Sequence, residues 1–434
     1  MRPEEHQRRR RQLMERVGPD AVVIVPASRE LIRNRDVHYP FRQNSDFLYL
    51  TGFPEPDALL VLLPGRDDGE TVLFCRNRDP ERETWDGLRA GPEGAVACYG
   101  ADQAWPIEEI DTRLPTLLAG RHSLHAVTGV DPAFDARLLG WLRQVREQIR
   151  AGVAAPQRIE ALETSLHAMR LIKSDDEIAQ MQRAADIAAH AHCEAMRATR
   201  PGLHEYSIEA GFHAVFKAEG GEHAYPPIVA SGANACILHY ITNSSPLRDG
   251  DLLLIDAGCE LDGYASDITR TFPISGRFSG EQRALYEVVL DAQAQAIAAV
   301  APGRSWNDGH EAALKVLCRG LVDLGLLAGD VDGLIESAAY RPFYMHRTGH
   351  WLGMDVHDVG DYKRDGDWRA LEPGMVLTVE PGLYVAPSLE DVDPRWHGIG
   401  IRIEDDVLVT ADGARILTGG VPKAIDAVEA LMAS

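Results

Sequence analysis

Residues 252–273, LLLIDAGCELDGYASDITRTFP, dominate the interpretation of this chain. The segment opens with an apolar run that ends at Asp256, continues through a polar turn containing Gly263, and reaches Asp267 directly before a second β-like run. Two such runs joined by a glycine-containing turn predict a β-hairpin that carries the two acids on neighbouring strands. A carboxylate at the end of an apolar strand is costly to bury alone, so the pair requires a cation or strong hydrogen-bond donors.

The composition limits the class of protein. The chain has 434 residues, which favours two domains over one, and its 45% hydrophobic and 25% charged content is typical of a soluble globular protein. The formal net charge of −22 argues against nucleic acid or an anionic membrane as a partner, because both attract a basic surface. The one basic run, residues 8–11, is interpreted as a solvated helix face rather than a nucleic-acid arm.

Targeting signals and cysteine usage predict a cytoplasmic protein. The first 18 residues carry charge but no apolar core of a signal peptide, and no apolar run approaches the roughly 20 residues that span a bilayer. The six cysteines are scattered without a CxxC pair, which favours free thiols in a reducing compartment. Cys259, close to Asp256, is interpreted as a small packing residue rather than a nucleophile.

The N-terminal part alternates between strand-like and helix-like patterns, which predicts an α/β domain with a central sheet. It contains no Gly-rich phosphate loop and no catalytic cluster. The predicted strands are 21–25, 47–52, 58–63 and 71–75, and a helix is predicted at 136–150.

A second domain begins near residues 160–174. Ser174 and Glu177 form a predicted capping box at the start of a long helix, and Ser279 with Gln282 form another. Ser305 is predicted to cap a further helix. The order of helix, helix and strands occurs twice, which suggests an internal duplication. Its predicted strands, besides the hairpin, are 226–231, 235–240, 343–349, 376–380 and 400–409.

Three residues of the C-terminal region are candidate partners for Asp256 and Asp267. His350 lies in MHRTGHWLGMDVHDVG, Glu380 ends the apolar run MVLTVE, and Glu404 lies in GIRIEDDV. Four strand-borne carboxylates in one site repel one another unless cations neutralise them. Two divalent metals would neutralise them, and such sites polarise a carbonyl while they activate water. The oxygen-rich set favours Mn²⁺, with Co²⁺ and Zn²⁺ left open.

The order of these motifs resembles a known family. IDAG, SDITRTF, GHWLG, TVEPG and IRIEDD resemble the metallopeptidases with the pita-bread fold, which include methionine aminopeptidases, prolidases and aminopeptidase P. The segment YPFRQNSDFLYLTGF resembles the N-terminal domain of aminopeptidase P. The resemblance implies an α/β N-terminal domain of that type at residues 1–170. It also implies an α+β pita-bread (creatinase/aminopeptidase-like) catalytic domain at residues 171–434.

The resemblance also implies a role for each residue. Asp256, Asp267, His350, Glu380 and Glu404 would bind two divalent metal ions, with Mn²⁺ expected. Asp267 and Glu404 would bridge the ions, a hydroxide would attack the scissile carbonyl, and Glu380 would also handle its proton.

Further positions match catalytic and substrate-binding residues of the family. They comprise His239 and His357 for the developing charge, Arg402 for support and substrate carboxylate, His346 in the proline-side pocket, and Tyr384 and Trp85 as aromatic residues near the pocket. Trp85 could belong to the site of a neighbouring subunit. The chain departs from the family where Arg347 replaces a small residue, which affects the shape of the pocket. Four other histidines lack matching context and are left out: His204, His213, His223 and His310.

The prediction is a cytoplasmic, metal-dependent Xaa-Pro aminopeptidase that releases the N-terminal residue before a proline and forms a homo-oligomer, either a dimer or a tetramer. Its partners are peptides with proline at the second position, without nucleic acid or membrane. Prolidase, the Xaa-Pro dipeptidase with the same ligands, is the alternative. Creatinase and the non-catalytic pita-bread binding proteins are disfavoured because the ligand set is intact.

Overall fold

The computed structural model describes residues 2–434. The chain separates into two compact units, one extending to Met169 and the other comprising Arg170–Ser434. Among the described residues, no helix has both the length and the apolar character needed to cross a membrane.

The N-terminal unit is built on a six-stranded mixed sheet with the order β6-β5-β4-β1-β7-β8. The central strands are buried along almost their whole length, which explains their continuous apolar sequences in a sheet covered on both faces. The strands are β1 (Ala21–Pro26), β2 (Ile32–Asn34), β3 (Val37–His38), β4 (Leu59–Leu62), β5 (Thr71–Cys75), β6 (Gln103–Pro106), β7 (Ser123–Ala126) and β8 (Arg158–Ala161). The helices are α1 (Pro3–Val17), α2 (Ser45–Thr51), α3 (Pro80–Asp86), α4 (Gly91–Tyr99), α5 (Ile110–Leu118) and α6 (Pro132–Arg146), and α7 (Glu163–Leu171) begins in this unit and ends two residues beyond its boundary. The prediction of an α/β N-terminal domain is confirmed.

Two local predictions in this unit differ from the structure, and the packing of α1 against α2 is involved in both. The run 47–52, predicted as a strand, is helix α2, and the side chain of Asn44 caps its start by accepting from the Phe47 amide. The basic run on α1 is a solvated face only in part: Arg8 and Arg11 are exposed, but Arg9 and Arg10 are 0% and 3% exposed. Their guanidinium groups donate to the carbonyls of Tyr49 and Leu50 in the last turn of α2, where helix carbonyls lack intrahelical donors.

The C-terminal unit repeats a motif of two helices followed by short antiparallel strands. Helix α8 packs against α9, and α10 packs against α11, as the doubled sequence order predicts. The helices are α8 (Asp175–Ala198), α9 (Glu205–Ala218), α10 (Gly280–Ala298), α11 (Trp306–Asp323), α12 (Val331–Glu336) and α13 (Ile425–Met432). The strands are β9 (Glu222–His223), β10 (Ile228–Ser231), β11 (Leu252–Asp256), β12 (Cys259–Leu261), β13 (Tyr264–Ala265), β14 (Thr269–Pro273), β15 (Lys363–Arg364), β16 (Asp367–Trp368), β17 (Val376–Val379), β18 (Gly382–Val385), β19 (Ile399–Arg402), β20 (Asp405–Val409) and β21 (Ala414–Ile416).

The predicted helix starts of this unit are confirmed. Both capping boxes form, because Ser174 and Ser279 accept from the backbone three residues later, and Glu177 and Gln282 reach back to the cap backbone. Ser305 caps α11 by accepting from the Asn307 amide, and the Asp308 side chain accepts from the Ser305 amide. Each box satisfies amides that the helix itself leaves without a partner.

The central stretch forms a more elaborate hairpin than its sequence suggests. Strands β11 and β14 pair antiparallel, with Asp256 opposite Thr269, while the short strands β12 and β13 pair with each other inside the connection. Asp267 lies two residues before β14 rather than on it. Two other predicted strands are absent: 235–240 begins in a 3₁₀ turn, and 343–349 is irregular after a turn that ends at Phe343.

Candidate metal centre

A cavity of about 540 Å³ in the C-terminal unit gathers most of the residues singled out from the sequence. Its lining comprises Tyr225, Pro226, Ile228, Leu238, His239, Ile241, Asp256, Asp267, His346, Arg347, Gly349, His350, Val356, His357, Glu380, Arg402 and Glu404. A larger groove of about 860 Å³ on α10 and α11 contains none of the predicted site residues. The smaller cavity is therefore the candidate site.

The strand ends bring the acidic side chains to this cavity. Asp256 is the last residue of β11, and Glu380 directly follows β17. Glu404 lies in the two-residue interval between β19 and β20, and its amide donates to the Thr269 carbonyl at 3.1 Å. Strand β11 pairs with β14, and β17 pairs with β20. These pairings, with the Glu404–Thr269 hydrogen bond, hold the ends of the strands close to one another, so their side chains reach the same cavity.

Backbone contacts fix His350 beside the acids. The Thr378 amide donates to the His350 carbonyl at 2.9 Å, and the Glu380 amide donates to the Thr348 carbonyl at 2.9 Å. Between them, a Cβ on Gly349 would lie 2.0 Å from the Thr378 carbonyl oxygen. Only glycine permits this close approach, so the GH dipeptide is a requirement of the backbone as well as of the chemistry.

Three of the predicted ligands meet at one point. One ligand atom from each of Asp267, His350 and Glu404 lies within 4.8 Å of the others. His350 Nε2 is 3.4 Å from Asp267 Oδ2 and 3.6 Å from Glu380 Oε1. Its Nδ1 lies 2.9 Å from the Trp351 carbonyl, which can only accept, so Nδ1 carries hydrogen and Nε2 faces the acids.

The electrostatics of the cluster suit bound cations. Burial raises the pKa of Glu380 to about 7, with His350 and Arg402 opposing and Asp267 adding to the rise. Burial and the neighbouring acids also raise the pKa values of Asp267 and Glu404. Crowded buried carboxylates of this kind are the donor set of a divalent metal site, and the residues present therefore fit the metals that the sequence implies.

Tyr225 contacts two of the predicted ligands and was not predicted from the sequence. Its hydroxyl lies 2.6 Å from Asp256 Oδ1 and 2.5 Å from Asp267 Oδ1, and can donate to either. Arg402 donates through Nη2 to Asp256 Oδ2 at 2.7 Å. Tyr225 comes three residues before β10 and carries no local signal, because its importance depends on Asp256, which follows 31 residues later in the chain.

A hydrogen-bond chain links Arg402 to His346. Arg402 Nη1 donates to the Tyr384 hydroxyl at 3.0 Å, and that hydroxyl lies 2.8 Å from His346 Nε2. His346 Nδ1 lies 2.7 Å from the Arg347 carbonyl, so Nδ1 carries hydrogen and Nε2 accepts from Tyr384. Tyr384 itself is 1% exposed and orients the histidine from behind rather than lining the cavity.

The remaining predicted residues occupy different surroundings. His239 and His357 both line the cavity, and the ring centroids of His350 and His357 are 4.3 Å apart. Burial, with the charge of His350, lowers the pKa of His357. Trp85 lies on α3 of the N-terminal unit and is 85% exposed.

His310, which was left out of the predicted site, contacts the loop that carries two of its residues. His310 on α11 has Nδ1 2.7 Å from Thr348 Oγ1, which also lies 2.7 Å from the Tyr344 hydroxyl. Thr348 stands between His346 and His350, so His310 helps to fix the loop that carries both. His204, His213 and His223 do not line the cavity.

Comparisons with known proteins agree with this geometry. Residues 179–411 match metallopeptidase family M24, and residues 6–125 match the aminopeptidase P N-terminal domain. The Xaa-Pro aminopeptidase of Escherichia coli (strain K12) is 46% identical over 431 residues, which cover 99% of this chain and 97% of that protein. Xaa-Pro aminopeptidase 3 of Homo sapiens is 37% identical, with 95% of this chain and 81% of that protein covered.

Solved structures give the same result. Pseudomonas aeruginosa aminopeptidase PepP superposes with a TM-score of 0.99 at 56% identity, covering 100% of this chain and 98% of the other. A Glu-to-Ala variant of Escherichia coli aminopeptidase P in complex with substrate superposes with a TM-score of 0.96 at 45% identity, with 100% and 98% covered. The predicted pita-bread catalytic fold is confirmed. This chain therefore belongs to metallopeptidase family M24 and, within it, to the metallo-aminopeptidases of the Xaa-Pro aminopeptidase group.

Proposed function

We propose that this chain hydrolyses the peptide bond before a proline at the second position of a peptide, using metals held by Asp256, Asp267, His350, Glu380 and Glu404. The observation that carries the proposal is the convergence of Asp267, His350 and Glu404 within 4.8 Å in a cavity that Asp256 and Glu380 also line. Asp267 and Glu404 are buried and Asp256 and Glu380 are half-buried, and bound cations would offset the repulsion among these four carboxylates.

We infer two ions, with Mn²⁺ as the expected metal, from the donor set. Asp267 and Glu404 each offer two carboxylate oxygens and would hold both ions of a two-metal site. Four carboxylates and one imidazole suit a hard ion such as Mn²⁺. When bound, the ions polarise the scissile carbonyl and activate a water molecule.

The side chains of the cavity supply the remaining steps. Glu380 accepts the proton of the attacking water and delivers it to the leaving amine, a task that suits a carboxylate beside His350. His239 and His357 donate hydrogen bonds to the oxygen on which negative charge develops. Arg402 holds Asp256 through a charge-assisted hydrogen bond of 2.7 Å and so keeps the ligand in place.

The proline ring of the substrate is assigned to the side of the cavity formed by His346. Tyr384 fixes the orientation of that histidine, and Ile228, Leu238 and Ile241 give the cavity an apolar wall. An Xaa-Pro bond is a tertiary amide with restricted geometry, so a shaped pocket can select it. The Escherichia coli relative is known in complex with substrate and with the inhibitor Pro-Leu.

The chain as a whole is assigned an N-terminal domain at residues 1–170, a catalytic domain at 171–434, and a homo-oligomeric state, either a dimer or a tetramer. In that state the exposed Trp85 of one subunit would reach the site of another. A cytoplasmic location is supported by six cysteines without a disulfide, in the part of the chain that the structure describes.

Prolidase is the alternative activity, and it would use the same five ligands. The match to the aminopeptidase P N-terminal domain and the full-length Xaa-Pro aminopeptidase relatives favour the aminopeptidase. A non-catalytic role is disfavoured because every predicted ligand is present.

The test compares hydrolysis of an Xaa-Pro-Xaa tripeptide with that of an Xaa-Pro dipeptide, after loading with Mn²⁺ and again after chelation. Cleavage that favours the tripeptide and stops on chelation is expected. Preference for the dipeptide would move the assignment to prolidase. Failure to cleave either peptide with Mn²⁺, Co²⁺ or Zn²⁺ would refute peptide hydrolysis. The number of ions is measured separately by metal analysis of the loaded protein.

A further inference from the structure

Arg347 is an exposed cation in the lining of the cavity that holds the four acids. The other arginine of the lining, Arg402, already uses all three guanidinium nitrogens: Nε donates to Thr269, Nη1 to Tyr384 and Nη2 to Asp256. Arg347 has one side-chain hydrogen bond, from Nη2 to Asn307 Oδ1, so Nε and Nη1 have no protein acceptor among the described residues. It therefore retains donors for a ligand.

The guanidinium of Arg347 is held in place by its neighbours. Its central carbon lies 4.7 Å from the ring centroid of Trp368, and the ammonium of Lys363 lies 4.3 Å from the same ring. The indole face attracts both cations, and the Asn307 bond fixes one edge of the guanidinium. A restrained arginine loses less conformational freedom when it binds a partner than a fully mobile one would.

A carboxylate is the group that fits these donors. The acids Asp256, Asp267, Glu380 and Glu404 lie close together around Tyr225 and His350 and would repel a second anion. The N-terminal ammonium of a peptide is attracted to these acids, and the other end of a short peptide must therefore extend away from them. The planar fork of arginine matches a carboxylate with two parallel hydrogen bonds.

We propose that Arg347 determines specificity by binding the free C-terminal carboxylate of short peptides, so that tripeptides of the form Xaa-Pro-Xaa are the preferred substrate class. This inference rests on the proposed function. Arg347 directly follows His346, which we assign to the proline side, and the chain advances about 3.8 Å per residue. The residue after the proline is therefore the one that meets Arg347.

The experiment compares kcat/KM for Xaa-Pro-Ala with that for the same tripeptide ended by an amide. The wild-type enzyme is expected to favour the free acid about fivefold, the upper range for an exposed ion pair. The Arg347→Gln substitution should reduce the ratio to about one while the amide is cleaved at the wild-type rate. Arg347→Lys should retain part of the preference, because the charge remains but the fork is lost.

The matched control is Arg341→Gln, which removes an exposed arginine outside the cavity lining and should leave the ratio unchanged. Raising the salt concentration should lower the preference of the wild type but not that of Arg347→Gln. A wild-type ratio near one, or equal losses on acid and amide in Arg347→Gln, would overturn the inference. Chelator-sensitive cleavage of the amide would still support the proposed function, so the two failures are distinguishable.

Discussion

Glu404 and Asp405 are neighbours in the sequence and are both almost fully buried, yet their surroundings are opposite. Burial and the nearby Asp267 raise the pKa of Glu404. Burial alone would also raise the pKa of Asp405, but the charges of Arg270 and Lys423 outweigh burial and hold that pKa below its usual range. Arg270 Nη2 lies 2.7 Å from Asp405 Oδ1, and Lys423 Nζ lies 2.6 Å from Oδ2.

A second balanced cluster lies beside the cavity. Asp358, next to His357, accepts from Arg170 Nη2 at 2.7 Å and from Lys173 Nζ at 2.9 Å. Burial alone would raise the pKa of Asp358, but the charges of Lys173 and Arg170 outweigh burial, and the pKa lies below its usual value. Buried acids with protein cations are structural, whereas the acids of the cavity have too few cations and are free to bind metal.

The largest effect is expected from Asp267→Ala or Glu404→Ala. Each removes a carboxylate shared by the proposed ions, so kcat/KM should fall on the order of a thousandfold, as for loss of a principal catalytic group. Isothermal titration should show weakened metal binding. The free energy of unfolding of the metal-free variants should not decrease, because the change relieves repulsion.

The control for these variants is Glu336→Ala, which removes an exposed acid outside the cavity. Full activity in either cavity variant would refute the ligand assignment. If either variant destabilised the metal-free protein, the acids of the cavity would be stabilising in the same way as the acids paired with protein cations, and the comparison would fail.

The next effect concerns stability. Asp405→Asn and Asp358→Asn each remove a buried carboxylate that two cations share, which should reduce the free energy of unfolding by about 3 kcal/mol. Urea denaturation of the metal-free protein measures the loss. A change below about 1 kcal/mol in both variants would mean that these clusters are not balanced ion pairs.

His357→Ala should lower kcat about a hundredfold, as expected when one donor to a developing oxyanion is lost. Metal content should remain that of the wild type, because His357 is not among the proposed ligands. The control is His190→Ala, an exposed histidine on α8. Loss of metal in His357→Ala would place this residue with the ligands.

The Asp358 cluster also predicts a pH dependence. Because the folded pKa of Asp358 is lower than its unfolded value of about 3.9, its stabilisation is complete above that value and is lost as pH falls through the folded pKa. The difference in unfolding free energy between wild type and Asp358→Asn should be constant from pH 7 to 5 and shrink below pH 4. Urea titrations at several pH values measure it, and a difference that grows in acid would contradict the assignment.

The smallest effect is expected from Asp355→Asn. This acid also accepts from Arg170, at 2.8 Å, but its side chain is 40% exposed against 1% for Asp358. Solvent screens such a pair, so the free energy of unfolding should change by less than about 1 kcal/mol. A loss equal to that of Asp358→Asn in urea denaturation would show that burial does not control the strength of these pairs.

Local patterns were sufficient for much of the fold. The capping boxes at Ser174 and Ser279 need only residues three apart, and both form as predicted. Strands β1 and β4 are buried on both faces, so each has a continuous apolar run that can be recognised in the sequence. Helix α2 was missed because its aromatic residues favour a strand, and contacts with α1 outweighed that preference.

The sequence alone was sufficient for the chemical inventory, which is four acids and an imidazole in an order that matches a metallopeptidase family. Which acid lacks a protein cation was decided only by the tertiary structure. Arg270 and Lys423 reach Asp405 from β14 and from the segment before α13, and Tyr225 reaches Asp256 across 31 residues. Coulomb energy depends on distance in space and on burial, and neither quantity can be read from separation along the chain.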